Sequence, residues 1–328
     1  MIYPDNFEQK IGFNEIRNML RERCLSTLGK EQVEKMAFSD DAEQVNEWLK
    51  QVREFRRLIL EVEDFPLQYF YDVRESIVRI RIENTHLEEN ELFDLRRSLS
   101  TIDCIVKILN HSDEDESHAE ENDGWRREKK YTYPSLHLLA KDIVTFPQIV
   151  QRIDQILDKF GKIRDNATPE LLHIRRELAK TEGSISRTLY SILRSAQSEG
   201  VVEKDVTPTL RDGRLVIPVI PTLKKKIKGI VHDESATGKT VFIEPTEVVE
   251  ANNRVRELEG EERKEIIRIL TQFTNKLRPY TREIMDSYRF LAKIDLIQAK
   301  QKLAEIQKAI EPEVEDHPHI DWIRAIHP

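Results

Sequence analysis

Gly238-Lys239-Thr240 is the triplet in this sequence that looks most like the tail of a phosphate-binding loop. The full pattern needs a glycine five residues earlier, and that position holds Asp233. The next residues, Val241-Phe242-Ile243, are strand formers rather than a helix N-terminus whose amides would hold phosphate. Asp233 and Glu234 would also repel an anion, so the triplet predicts a hairpin turn. His232-Asp233-Glu234-Ser235 collects the residue types of a hydrolase, but neighbours on a turn do not face one another as a triad must. His317-Pro318-His319 has a spacing seen in metal sites, yet it offers two ligands in a linker with no cysteine partner and reads as solvated. Asp295 lies four residues after Leu291 and four before Ala299, on an apolar stripe. An acid there is expected to be held by hydrogen bonds inside a core rather than to catalyse. These residues give no catalytic group, and no cofactor or metal is expected in this chain.

The remaining chemical signal is basic. Lys224-Lys225-Lys226-Ile227-Lys228, with Lys204, Arg211 and Arg214 nearby, outweighs Glu203, Asp205 and Asp212 in the same stretch. The whole chain, by contrast, carries a net charge of −8. A local cluster of this kind can meet phosphates, which give sequence-independent affinity for nucleic acid. Lys224, Lys225, Lys226, Lys228, Arg211 and Arg214 are therefore the candidate contacts. The competing reading is an edge strand kept from aggregating by its lysines.

The elements that must position this cluster are mostly helical. The chain has 328 residues, 34% of them charged, with only 10 Gly and 13 Pro. Length predicts two domains or one elongated assembly. No apolar run is long enough to span a membrane, and Met1-Ile2-Tyr3-Pro4-Asp5-Asn6 has no export signal. Cys24 and Cys104 make neither a disulfide framework nor a metal site, so a cytoplasmic location is expected. Apolar periodicity predicts a helix through Ile16, Leu20 and Cys24, a second capped near Asp40 or Asp41, and a third from Glu88 to Asn110. Residues 111–124 are an acidic, solvated loop within an N-terminal helical core over 1–168. Helix is predicted again from Pro147 to near Gly161.

Thr168-Pro169 then opens a long helix, residues 169–200, with Leu171, Leu178, Ile185 and Ile192 every seven positions. At 1.5 Å per residue it would span ~46 Å. Residues 201–245 switch to short β-branched runs at 214–219, 227–231 and 240–243, and Pro218 and Pro221 confine the first to an edge. Helix returns over 246–311, broken at Pro279, and 312–328 is a linker. The simplest packing is an antiparallel pair of long helices with the β element at its far tip and a helical core at the near end.

At this point four stretches resemble the second bacterial branch of the MutS family, the endonuclease MutS-like proteins. They are Ile163–Leu171 with Ile174-Arg175-Arg176, Arg211–Val219, Gly229–Pro245 and Val248–Glu259. The likeness runs in order from the N-terminal helices to His327-Pro328. It implies a mainly α fold: a MutS-type core, long antiparallel lever helices and a small β-containing clamp element inserted between them. Ile326-His327-Pro328 looks like the opening of the family's ATPase domain. The resemblance therefore implies an N-terminal part, with ATP and Mg belonging to an absent ATPase domain and the small MutS-related nuclease domain absent too. What it implies for function is a non-catalytic grip on branched DNA in recombination control or DNA repair. A grip on stalled or collided ribosomes, through ribosomal RNA, is the alternative, and a purely structural scaffold a second one. A homodimer is implied for the full-length protein, and a monomer or weak dimer for this part.

Overall fold

In the computed structural model, residues 6–68, 70–112 and 130–328 are described. The acidic loop predicted over 111–124 lies almost entirely outside them. The chain divides into two compact units, one of residues 1–154 with 273–328 and one of residues 155–272.

The first unit is helical. Its elements are α1 (Phe7–Lys10), α2 (Phe13–Arg23), α3 (Thr27–Glu34), α4 (Ala42–Glu61), α5 (Arg74–Arg79), α6 (Glu89–Leu109), α7 (Pro134–Ala140), α8 (Pro147–Ile156) and, after the second unit, α11 (Thr281–Gln307). The starts follow local chemistry. Asp41 accepts from the Gln44 amide at 3.0 Å to cap α4. Glu88 and Glu91 form a reciprocal capping box at α6. Helix α8 stops several residues before Gly161, because Leu157 pairs with Ile163 across a turn in which Gly161 has φ +80°. Helix α11 is the central rod and packs against α2, α3, α4 and α5. It buries Ile284, Tyr288, Leu291 and Ile294.

Asp295, fully buried on α11, accepts from the amides of Leu25 and Ser26 at 2.9 and 3.0 Å and from the Ser26 hydroxyl at 2.6 Å. It thus holds the turn that opens α3, and its hydrogen bonds are structural. Cys24, beside it, is buried and its thiol is pushed up to about 12, first by burial and then by the Asp295 charge.

The second unit joins two long helices and a sheet. Helix α9 (Pro169–Ser198) begins with Thr168 accepting from the Leu171 amide at 3.1 Å. Helix α10 (Thr246–Leu277) returns in the opposite direction, its start sharing a core with the C-terminal half of α9 and its later turns bonding to the start of α9. Near the start of α9, the Thr168 hydroxyl donates to Glu265 at 2.7 Å, and Arg175 donates to Glu262 at 2.7 Å. Between these helices in sequence come β1 (Thr209–Arg211), β2 (Arg214–Val219), β3 (Gly229–Glu234) and β4 (Val241–Pro245), in spatial order β1-β2-β4-β3. Ile217 and Val219 of β2 and Val241 and Ile243 of β4 share one core with Ile185, Leu189 and Leu193 of α9 and with Val248 and Val255 of α10. The sheet therefore packs on the C-terminal half of α9 and the first turns of α10, as the sequence predicted. The buried stripe on α9 drifts from the seven-residue repeat: Leu193 is buried while Ile192 is half-buried, as a 3.6-residue turn requires over this length.

Three strand expectations change. β2 lies between β1 and β4 and is not an edge. Pro218 is tolerated because β1 pairs only with residues 214–216, so opposite Pro218 that side of β2 has no ladder to lose. The run predicted at 227–231 starts at Gly229, since Pro221–Lys226 forms a 3-10 turn instead. β1 was not foreseen; Asp212 and Gly213, both at positive φ, turn it into β2 as a two-residue hairpin.

Candidate nucleic-acid interface

β2 and β3 are both antiparallel to β4 and hence parallel to each other. Residues 220–228 must then carry the chain from one end of the sheet to the other, and the lysine run lies on this crossover. Lys224, Lys225 and Lys226 occupy the 3-10 turn and point to solvent, and Lys228 is exposed as well. Among the described residues, none of the four has a carboxylate within ion-pair distance. Ile227, buried in the core between them, pins the run to the sheet. Lys228 also accepts from the Thr246 amide through its carbonyl at 3.1 Å. The run precedes the edge strand β3 and does not lie on it.

The two arginines are placed differently. Arg211 on β1 stacks 4.2 Å over the Phe242 ring and lies 3.9 Å from Asp233, leaving about half its side chain exposed. Arg214 is drawn inward. Its guanidinium donates to both oxygens of Glu244 at 2.7 and 2.9 Å and to Asn253 at 2.6 Å. Glu244 is fully buried on β4 and also accepts from the Asn252 amide group at 2.7 Å and pairs with His232. His232 reaches it because a β-bulge between Val231 and Asp233 inserts one extra residue into β3. Burial pushes the Glu244 carboxyl up, and bonds from Asn252, Arg214 and His232 more than offset this, leaving it below the usual glutamate range.

Gly229 makes the close pairing of β3 and β4 possible. A Cβ there would sit 2.1 Å from the Glu244 carbonyl oxygen. Gly238-Lys239-Thr240 forms the β3–β4 hairpin turn, with Gly238 at φ +66° and donating to the Ser235 carbonyl at 2.8 Å. Lys239 on that turn lines a groove of about 530 Å³ together with Pro221 and Thr222. Lys239 thus shares that groove with the first residues of the crossover, a placement that the sequence does not show because Lys239 stands eleven residues after Lys228.

No family model matches the chain. Curated relatives do. A protein from Geobacillus sp. is 33% identical over 316 residues, covering 96% of this chain and 38% of the relative. One from Levilactobacillus brevis is 34% identical with the same coverage, and one from Enterococcus faecalis is 29% identical over 97% of this chain. All three are named endonuclease MutS2. This is a sequence of the MutS2 family. The chain spans 38% of the length of the MutS2 relatives first matched. Three of the stretches that carried the resemblance meet at one point in the fold. Arg214 comes from the first, His232 and Glu244 from the second, Asn252 and Asn253 from the third. In this MutS2 sequence, then, the most recognisable residues build the buried polar hub of the sheet, and the lysines of the crossover ride on it.

Proposed function

We propose that residues 201–245 grip nucleic acid through its phosphates, as a non-catalytic arm of a MutS-type ATPase and nuclease acting on branched DNA. The observation that supports this is the run of exposed lysines, unpaired among the described residues, on a crossover pinned by Ile227. A backbone pinned by Ile227 needs no further ordering when its lysines meet phosphate, and releasing the counterions of the nucleic acid drives the contact. The relatives are named as endonucleases, enzymes that cut nucleic acid, which favours that class of partner. In this reading ATP and Mg act in the remainder of the protein, and a homodimer brings two arms around the substrate.

The test is a titration of the chain against a fluorescent four-way DNA junction at several salt concentrations. It runs beside a variant with Lys224, Lys225, Lys226 and Lys228 changed to serine. Binding is expected to weaken steeply with salt, with a slope that falls by about 0.9 for each phosphate contact removed. Ribosomes form the second arm of the titration. Salt-dependent binding to ribosomes but not junctions would move the grip to ribosomal RNA, and equal binding by both proteins would sink the assignment to the crossover.

A further inference from the structure

A cavity of about 440 Å³ in the helical unit is unrelated to the lysine crossover. It lies between the connection from α3 to α4 and helices α4, α7 and α11. Its lining contains three lysines, Lys35, Lys293 and Lys300, and no acid, in a protein with a net charge of −8. Two aromatic side chains, Phe38 and Trp48, are part of the same wall and are 62% and 37% exposed, although both are large and apolar. Lys300 reaches in from α11, and its ammonium nitrogen stands 5.6 Å from the centre of the Trp48 ring. No carboxylate among the described residues lies within ion-pair distance of it. Gln51, buried on α4, adds an amide to the wall.

Each of these features has a cost when the cavity is empty. A half-buried ammonium without an anion is poorly solvated, and burial pushes Lys300 below the usual lysine range. Exposed Trp and Phe around one opening lose the favourable burial that such rings normally find. One ligand chemistry answers both: a flat ring to cover Trp48 and Phe38, and an anion to meet the lysines. The volume falls within the range of small-molecule sites, about 300–1,000 Å³. We propose that this cavity binds a small aromatic phosphate, with the ring against Trp48 and the phosphate on Lys300, Lys293 and Lys35.

Pyridoxal phosphate is a suitable probe, because it has the ring, the phosphate and an aldehyde. A lysine amine adds to the aldehyde with loss of water, and borohydride reduces the resulting imine to a stable secondary amine. The intact chain would be treated with substoichiometric probe near neutral pH, reduced, and mapped by peptide mass spectrometry. Lys300 is expected to take up label faster than the exposed lysines, since the bound phosphate holds the aldehyde in the cavity beside it and burial favours its neutral, reactive amine. Pyridoxine phosphate, which lacks the aldehyde, is expected to protect it.

Lys300→Arg should keep the affinity for pyridoxine phosphate in calorimetry while losing the label. Trp48→Ala should lose affinity at an unchanged melting temperature. Label spread evenly over exposed lysines, or Lys300 label that pyridoxine phosphate does not slow, would overturn the site.

Discussion

Glu244 is a charge with no exposed surface, and its three partners, Arg214, His232 and Asn252, come from β2, β3 and α10. Such a carboxylate contributes stability only while its partners are complete. Removing one side of a buried pair typically costs about 3–5 kcal/mol, because the other is left charged and dry. Arg214→Met is therefore expected to lower the unfolding free energy measured by urea denaturation by an amount in that range. Arg214→Ser in the exposed-lysine context of a binding screen would give the same loss of fold, so weakened DNA binding by an Arg214 variant is not a sign of phosphate contact.

The pH dependence has a definite sign. Glu244 titrates lower in the folded chain than unfolded, so its stabilisation is present above the ordinary glutamate pKa of about 4.3 and is lost as pH falls through the lower folded value. The stability gap between the natural chain and Glu244→Gln should be widest near neutral pH and should shrink below pH ~4.3. A gap that stays constant well below pH ~4.3 would remove the charge from the account.

Elements differ in how much of their stability is local. Thr168 caps α9 and its hydroxyl also donates to Glu265, an acid on α10 that is 6% exposed. Thr168→Ala should cost about 1–2 kcal/mol in chemical denaturation, the upper part of the range for a lost cap, because a second bond goes with it. Thr168→Ser, which keeps the oxygen, should restore most of it.

Such caps were legible because they are written in adjacent residues. Thr168-Pro169 and Asp41 before Ala42 both act within four positions of the chain. The acid at 295 was legible too, since an apolar stripe at helical spacing already says that its side chain faces a core. What could not be read was pairing across distance. The order β1-β2-β4-β3 decides that the lysines lie on a crossover and that Arg214 points at Glu244 rather than at solvent, and nothing in the local spacing of Arg211 and Arg214 separates their fates. The lysine-lined cavity was equally invisible, because Lys35, Trp48 and Lys300 meet only after α11 has packed on α3 and α4.

At the scale of the whole molecule, the balance of charge decides how much binding the four lysines can carry. The chain has 60 acidic residues against 52 basic ones, so its mean field repels a polyanion. An acidic protein can hold nucleic acid only where local contacts beat that field, and the field itself is screened by salt within about 10 Å at 0.1 M. Changing Lys224, Lys225, Lys226 and Lys228 to serine takes the net charge from −8 to −12 and removes the local attraction at the same time. The effect on binding should be greater than the loss of four contacts from a neutral protein. Junction binding by the serine variant is expected to be much weaker at low salt and to fall off with a shallower salt slope. A control with four exposed α10 or α11 lysines and arginines changed to serine, such as Arg263, Lys264, Arg282 and Arg289, reaches the same −12 while keeping the crossover. It should retain the steep salt slope with a uniform loss of affinity. If the two variants lose binding equally, net charge rather than the crossover governs the encounter, and the proposed grip has no address in this fold.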